Sequence, residues 1–321
     1  VLPFSHSYGL TAALNVPVSL GATLIVKARF EVADILKTIR RHKPTMFPGV
    51  PQMYVAINDF PRVRKYGIAS IKACISGSAP LPVEVQEAFE KLTRGRLVEG
   101  YGLTEASPIT HANPLQGLRK VGSIGVPLPS TEARIVDLRH GKEEVPIGHI
   151  GELAVRGPQV MLGYWKNNHA SQRVLTPDGW LLTGDVAQMD AEGYFRIVAR
   201  KADMWYPSKP GNPAFPRDVE EVLFEIPQVK EAAVIGIAGQ PIAFIIAKTA
   251  AGTLAGNRPS SDAIIAYCRR RLPPELVPRL VIFLDDFPRT FIGKVLRREL
   301  AKYFEESKHT LQPETSEAGR L

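Results

Sequence analysis

Cysteine is scarce in this chain, with two in 321 residues. Cys74 falls in an apolar, strand-like run and Cys268 in an amphipathic helical pattern. Both read as buried thiols rather than as metal ligands or a disulfide, which fits a reducing compartment. Long apolar runs are missing too. The longest, such as Ala243–Ala247 and Leu280–Leu284, are far too short to span a bilayer, so no transmembrane segment is expected. There is no internal repeat and no low-complexity tract. Val1-Leu2-Pro3-Phe4 lacks the basic start and apolar core of a secretory signal. The expected location is therefore cytoplasmic, with peripheral contact at the inner face of a membrane as a further option. The first residue is not Met, which suggests an excerpt of a longer protein.

What is present is an ordinary globular composition: 45% hydrophobic and 22% charged residues. The length is more than one average domain, so two domains are expected. The formal charge is +8, which suits polyanionic partners such as nucleic acid, anionic lipid or phosphorylated small molecules. Nothing resembles a helix-turn-helix, a zinc finger or an aromatic-bearing RNA sheet, so no nucleic-acid partner is expected. The basic groups cluster late, at Arg269-Arg-Arg271 and Arg297-Arg298. They read either as a solvated helix face or as attraction for a phosphorylated cofactor or a membrane surface.

Hydrophobic spacing gives the organisation. Leu24-Ile25-Val26 reads as a strand. Val32, Ile35, Leu36 and Ile39 form one helical face. Ile71–Ile75 reads as a buried strand running into the turn Ser76-Gly-Ser-Ala-Pro80. A helix with Pro82 near its start and Val85, Phe89 and Leu92 on one face follows, then a strand at Arg96–Glu99. Strand, crossover helix and strand argue for a parallel sheet. From Val121 short strands, Thr131–Asp137, Gly151–Arg156 and Tyr194–Ala199, suggest a small, barrel-like β subdomain. From Arg200 an α+β domain of about 100 residues is expected. Its elements are a helix over Asp218–Ile226, strands Ala232–Ile237 and Ile242–Ala247, and a polar loop Gly252–Ser261. A helix capped by Ser261-Asp262, a strand Leu280–Leu284 and a basic helix from Val295 complete it. The fold class is thus α/β: a parallel sheet with helices plus a small β subdomain, followed by a smaller α+β domain.

Three stretches carry candidate chemistry. Glu99-Gly-Tyr-Gly-Leu-Thr-Glu105 sits at a strand end, where ligands bind open α/β sheets. Gly100 and Gly102 permit close backbone approach. Thr104 offers a hydroxyl to a phosphate, and Glu105 a hard oxygen suited to Mg²⁺. Taken alone, such a loop reads by default as a plain tight turn. Asp185, in Leu182-Thr-Gly-Asp185, suits ribose hydroxyls if it stands at a strand end, or else caps a turn. Lys294, at the tip of Pro288-Arg-Thr-Phe-Ile-Gly-Lys294, is either a point charge delivered to a reacting phosphate or a solvated lysine.

Together and in this order, these stretches resemble the adenylate-forming superfamily, which includes acyl-CoA synthetases, luciferases and peptide-synthetase adenylation domains. Further matching stretches are Pro3–Gly9, Gly77–Pro80, Gly151–Gly157 with Gly163-Tyr-Trp165, and Asp178-Gly-Trp180 with Thr183-Gly-Asp185. Gly193–Ile197 with Arg200 and Asp203, and Phe215–Glu220, complete the set. The chain as a whole, and Pro288–Arg298 above all, is similar to bacterial long-chain fatty acid:CoA ligases. The resemblance implies a large AMP-binding domain, in part, over 1–199, a hinge at 200–203, a small C-terminal domain over 204–308 and a disordered tail over 309–321. It implies that ATP and a fatty acid form an acyl-adenylate with Mg²⁺, and that coenzyme A then displaces AMP. Other acyl- or aryl-CoA ligases, fatty acyl-AMP ligases and a non-catalytic nucleotide-binding relic are alternatives.

By position, Gly77, Ser78, Ala79 and Pro80 would border the adenine, facing Glu99, Gly100 and Tyr101. Thr104 would meet phosphate and Glu105 would hold the metal. Asp185 and Arg200 would bind the ribose, and Lys294 would bridge carboxylate and α-phosphate. His6, Gly49, Val50, Gly102 and Leu103 would line the acyl pocket. Ala202, Asp203 and Gly211 would serve the hinge and the coenzyme A channel. The chain departs from the family at Ala199 and Ala202, in the Pro-rich stretch Met204–Pro213 and in the shortened Gly236–Pro241, which bears on the thioester step. The family's phosphate loop, which precedes the His6 motif, is not in the sequence. The 321 residues alone are therefore expected not to form an acyl-adenylate, so that incubation with ATP and palmitate releases no pyrophosphate.

Overall fold

The computed structural model describes residues 1–208, 212–248, 259–289 and 295–311, with side chains to 307. The chain forms two compact units, Val1–Val198 and a second from Ala199 onward.

In the first unit, the helix Val32–His42 buries Ile35, Leu36 and Ile39 as one stripe. The next helix, Pro51–Asn58, starts on a proline, whose fixed φ suits a first helical position. Strand β1 (Ala73–Ser76), the helix Val83–Thr93 and strand β2 (Arg96–Gly102) follow. The two strands are parallel, in register from Ala73↔Arg96 to Ser76↔Glu99. Met46 and Gly49 extend this pairing with parallel bridges to Ala73 and Ser76. Leu36, Tyr54, Ile57, Cys74, Phe89 and Leu97 form the core beneath. Tyr54 is fully buried, and its hydroxyl donates to Phe47 O at 2.9 Å.

The expected all-parallel sheet is mixed. β2 turns directly into β3 (Ile109–Ala112), which pairs with it antiparallel, and β4 (Val126–Pro127) follows antiparallel to β3. The connection is too short for a crossover helix, so only antiparallel pairing is open to it. The second sheet, β5 (Glu132–Val136), β6 (Gly151–Arg156), β7 (Leu181–Met189) and β8 (Phe195–Arg200), runs in chain order. It is an open meander rather than a barrel: among the described residues no ladder joins β5 to β8. Phe195 fastens it to the first sheet, donating to Gly125 O and accepting from Ile124 N, each at 2.9 Å.

In the second unit, the helix Pro216–Phe224 leads into β9 (Val229–Ile237), β10 (Gln240–Ala247), the helix Ser261–Arg269, β11 (Leu280–Phe283) and the helix Arg297–Leu311. β10 is central, antiparallel to β9 and parallel to β11. Ala243 and Ile245 pack with Val219, Leu223 and Cys268 on one face. Ile242, Phe244 and Ile246 pack with Phe287 and Leu300 on the other. A strand covered on both faces has no polar side, hence its unbroken apolar run. The shortened segment at Gly236–Pro241 is a two-residue hairpin turn in which Ala238 and Gly239 both have positive φ (50° and 81°), as such tight hairpins require.

Local expectations shift in three places. Leu24–Val26 is not a strand: Val26 is 64% exposed, and no ladder partner lies beside it among the described residues. The cap of Ser261–Arg269 is Ser260, whose hydroxyl accepts from Ala263 N at 3.1 Å, because a cap oxygen reaches the third amide on. The last helix runs to Leu311, three residues into the stretch expected to be a disordered tail, since its helical pattern continues that far. The remainder of that tail, and the loop expected at Gly252–Ser261 up to residue 258, lie outside the described residues. Both cysteines are free and buried. Among the described residues no helix is long and apolar enough to cross a membrane.

Phe89 is 1% exposed and stands edge-on to Tyr54 at 4.9 Å. Phe89→Ala is expected to cost about 3–5 kcal/mol, read as a lower urea midpoint for the first unit by circular dichroism.

Candidate active site

The first cluster of site residues lies at the carboxyl ends of the parallel strands. Gly49 N donates to Ile75 O and Gly77 N to Gly49 O, each at 3.2 Å. The Tyr8 hydroxyl donates to Ile75 O at 2.7 Å. A Cβ at Gly77 would lie 3.2 Å from the Tyr8 ring, so glycine lets this turn sit against the aromatic face. Ser78 takes a left-handed φ of 71°. Glu99 faces Ser76 across the ladder, and the Leu81 N–H acts on its carboxyl group. His6, Gly49, the turn 77–80 and Glu99 are thereby tied into one region. His6 caps the short helix Ser7–Leu10, its Nδ1 accepting from Tyr8 N at 3.1 Å. Val50 precedes the helix Pro51–Asn58.

Glu99-Gly-Tyr-Gly102 is not a loop after the strand but the end of β2 itself, because β3 continues its ladder along the other edge. A Cβ at Gly100 would come within 2.8 Å of Ile75 Cγ2, and one at Gly102 would overlap Pro108 O. Tyr101 faces His111 across that ladder, and its hydroxyl donates to Asp185 Oδ2 at 2.5 Å.

Asp185 stands mid-strand rather than at a strand end. The β6–β7 register passes from Glu152↔Val186 to Ala154↔Leu182, so Thr183, Gly184 and Asp185 together oppose Leu153. This bulge departs from the ladder and re-aims a side chain. Gly184 supplies the positive φ, 70°. Thr183 Oγ1 donates to Leu153 O at 2.8 Å, and Gly184 N donates to Glu152 Oε1 at 3.0 Å. The bulge delivers Asp185 to Tyr101.

After Leu103, a single turn Thr104–Ala106 leaves the Thr104 side exposed. The Glu105 carboxylate accepts from the Tyr164 hydroxyl at 2.8 Å. Among the described residues no three His, Cys, Asp or Glu side chains converge on a point. A lone carboxylate beside an exposed hydroxyl suits Mg²⁺, which takes one or two protein oxygens and completes its shell with phosphate and water.

Arg200 ends β8, and Ala202 and Asp203 form the turn Lys201–Asp203. Arg297 binds Glu220 at 2.6 Å and Asp203 at 3.7 Å, and donates to Val234 O at 3.2 Å. This corrects the reading of Arg297 as part of a solvated or ligand-attracting face: its charge is committed to carboxylates on two other elements. Arg271 is likewise paired, with Glu225 at 2.5 Å. Lys294 and Gly211 lie outside the described residues. On either side of the Lys294 segment, Arg289 and Val295 form an antiparallel bridge, and Leu296 N donates to Pro288 O at 2.8 Å. The Pro-rich stretch is closed in the same way, by two bonds between Trp205 and Ala214 of 3.1 and 2.8 Å.

Residues 1–165 match the AMP-binding enzyme family and residues 218–294 match the AMP-binding enzyme C-terminal domain. The chain belongs to the AMP-binding enzyme family. It is 44% identical over 314 residues to a long-chain-fatty-acid–CoA ligase of Bacillus subtilis, covering 96% of this chain and 54% of that protein. It resembles the crystal structure of ATP-bound MatB from Rhodopseudomonas palustris, with a TM-score of 0.82 and 29% identity over 95% of this chain and 59% of the other. It also resembles o-succinylbenzoate coenzyme A synthetase of Bacillus subtilis in complex with ATP and a magnesium ion. There the TM-score is 0.75 and identity 30%, over 94% of this chain and 60% of the other. The chain spans about half the length of the curated relatives it matches.

Two residues around this candidate site escaped sequence reasoning. Tyr164 lies inside the Gly163-Tyr-Trp165 stretch, but nothing in its spacing points to Glu105, 59 positions away. His111 carries no local signal. It is fully buried, edge-on to Tyr101 and to Phe195 with ring centroids at 6.0 and 4.7 Å.

A partly buried carboxyl group and a buried imidazole give the family member opposing pH responses. Burial pushes Glu99 up to about 7, against the pull of the Leu81 N–H. Between the ordinary carboxylate value and pH 7 the folded chain keeps a proton that the unfolded chain has lost, so this contribution to stability falls as pH rises. Burial pushes His111 down to about 3. Between pH 3 and the ordinary imidazole value the unfolded chain binds a proton that the folded chain refuses, so this contribution falls as pH drops. Glu99→Gln is expected to lose less stability than the parent from pH 5 to 8, and His111→Phe less from pH 7 to 4, by urea titration at each pH.

Proposed function

We propose that the polypeptide carrying this sequence is an ATP-dependent acid–thiol ligase. It joins a carboxylic acid to AMP with release of pyrophosphate, then passes the acyl or aryl group to coenzyme A. The observation that carries the reading is the Tyr101–Asp185 contact. It draws the strand-end segment and the Thr183–Asp185 bulge together, with Glu105 and an exposed Thr104 one turn away. The acid is taken broadly. The likeness to a long-chain-fatty-acid–CoA ligase supports an aliphatic acid, and that to an o-succinylbenzoate synthetase supports an aryl one. A long-chain fatty acid is the narrower form of the proposal.

In this reading the turn 77–80 and the β2 segment Glu99–Tyr101 hold the adenine between them, and Asp185 and Arg200 take the ribose hydroxyls. Thr104 meets a phosphate oxygen. The acid lies along His6, Gly49, Val50, Gly102 and Leu103. Glu105 is the protein ligand for Mg²⁺, which when bound neutralises phosphate charge as two anions meet. Lys294 supplies fixed positive charge between the carboxylate and the α-phosphate. The turn at Arg200–Asp203 acts as the hinge that withdraws Lys294 and admits coenzyme A, with Ala202, Asp203 and Gly211 beside the thiol's path. The partners are thus small molecules, and a cytoplasmic location fits the two free thiols. Any contact with anionic lipid would fall to basic groups other than Arg271 and Arg297, whose charges are already paired.

Lys294→Ala in the natural polypeptide is expected to slow pyrophosphate release about 10²–10³-fold. Thioester formation from supplied acyl-adenylate and coenzyme A should change far less. Equal loss in both steps would remove Lys294 from the adenylation role. A panel of aliphatic and aryl acids, assayed with and without coenzyme A, separates the narrower reading from the broader one.

A further inference from the structure

The turn carrying Glu105 is gripped by a single surface segment. Met161 N donates to Glu105 O at 2.8 Å, and the Tyr164 hydroxyl donates to Glu105 Oε1 at 2.8 Å. The same segment fixes Tyr164 from behind. Its N–H donates to Ser171 Oγ at 2.8 Å, Ser171 Oγ donates to Asn167 O at 3.0 Å, and Asn167 N donates to Tyr164 O at 3.1 Å. Gly163 makes the arrangement possible, with a φ of 147°, where a Cβ would stand 3.0 Å from Ser171 Oγ. The flanking Leu162 and Trp165 are 104% and 88% exposed. The segment therefore buries little apolar surface, and Tyr164 is turned inward where its neighbours are turned out.

We infer that Tyr164 is a positioning residue for divalent-cation binding: its hydroxyl occupies Glu105 Oε1, so that Oε2 is the oxygen presented to the cation. The inference rests on the reading of Glu105 as the Mg²⁺ ligand. A carboxylate on a short turn would otherwise rotate, offering either oxygen or both. Mg²⁺ demands strict geometry and few protein ligands, and partners that orient a ligating carboxylate commonly govern affinity.

The test uses Mn²⁺ as the probe, titrated by electron paramagnetic resonance into the natural polypeptide with ATP and no acid, so that no turnover occurs. Tyr164→Phe is expected to weaken Mn²⁺ binding about 10-fold, with ATP affinity in chelator unchanged. Tyr164→His, which restores a donor, is expected to recover part of the loss. In a Glu105→Gln background, Tyr164→Phe should add nothing. If Glu105→Gln weakens Mn²⁺ binding but Tyr164→Phe only lowers the melting temperature, the positioning role is overturned and the metal reading stands. If Glu105→Gln leaves Mn²⁺ affinity unchanged, the metal reading itself fails.

Discussion

Strand β2 pairs parallel with β1 over Arg96–Glu99 and antiparallel with β3 over Gly100–Gly102, and the two glycines of the second stretch leave no room for a side chain. A Cβ at Gly100 would press on Ile75, and one at Gly102 would overlap the Pro108 carbonyl. With glycine at both positions, Tyr101 alone projects from this stretch and His111 can lie edge-on to it. The ring is then close enough for its hydroxyl to reach Asp185, which the β7 bulge brings from the other sheet. Phe195 closes the circuit, since it packs on His111 and fastens β8 to the segment ahead of β4. A side chain at Gly102 would therefore disturb the approach of β3, and through it the ring that joins the two sheets.

The second unit solves a different problem, fixing the residues on either side of the Lys294 segment. Glu220 accepts from Val234 N at 2.8 Å and binds Arg297 at 2.6 Å. One carboxylate thus ties the helix Pro216–Phe224 to β9 and to the start of the last helix. Arg289, on the other side of the Lys294 segment, pairs with Glu231 at 2.5 Å. These ion pairs are partly buried, and their geometric role is clearer than any net stability they confer, because desolvation offsets much of the attraction. They fix the residues that flank the Lys294 segment on either side.

Much of this was legible in the sequence, and the misses have physical causes. The helices at Val32–His42 and Pro216–Phe224 and the strand β10 follow from periodicity and continuous burial, which are local properties. The bulge at Thr183–Asp185 is not local: a residue inside a bulge looks like one in a turn until its partner strand is known. β3 and the pairing of Gly49 were missed for the same reason, since a strand of four residues or a single bridge is defined by its neighbour. Leu24–Val26 failed in the opposite direction, having strand composition but no ladder beside it among the described residues. For the site, the motif residues were legible because they resemble a known family. Tyr164 and His111 act through Glu105 and Tyr101, and such contacts leave no trace in spacing.

The charges around the candidate site are distributed unevenly, and burial explains why. Glu99 and His111 lie on the ladder that carries Tyr101, and burial disfavours the charged form of each, raising one and lowering the other. The wall proposed to meet the adenine is therefore reluctant to carry charge of either sign, which suits a neutral, stacking base. Asp185 and Glu105 sit at its margin, each accepting from a tyrosine hydroxyl. A neutral hydroxyl donor orients a carboxylate without placing charge beside it. In the proposed site that division would set a wall that disfavours charge beside the base, and oriented carboxylate oxygens beside the ribose hydroxyls and the metal, and it follows from which side chains the two sheets bury.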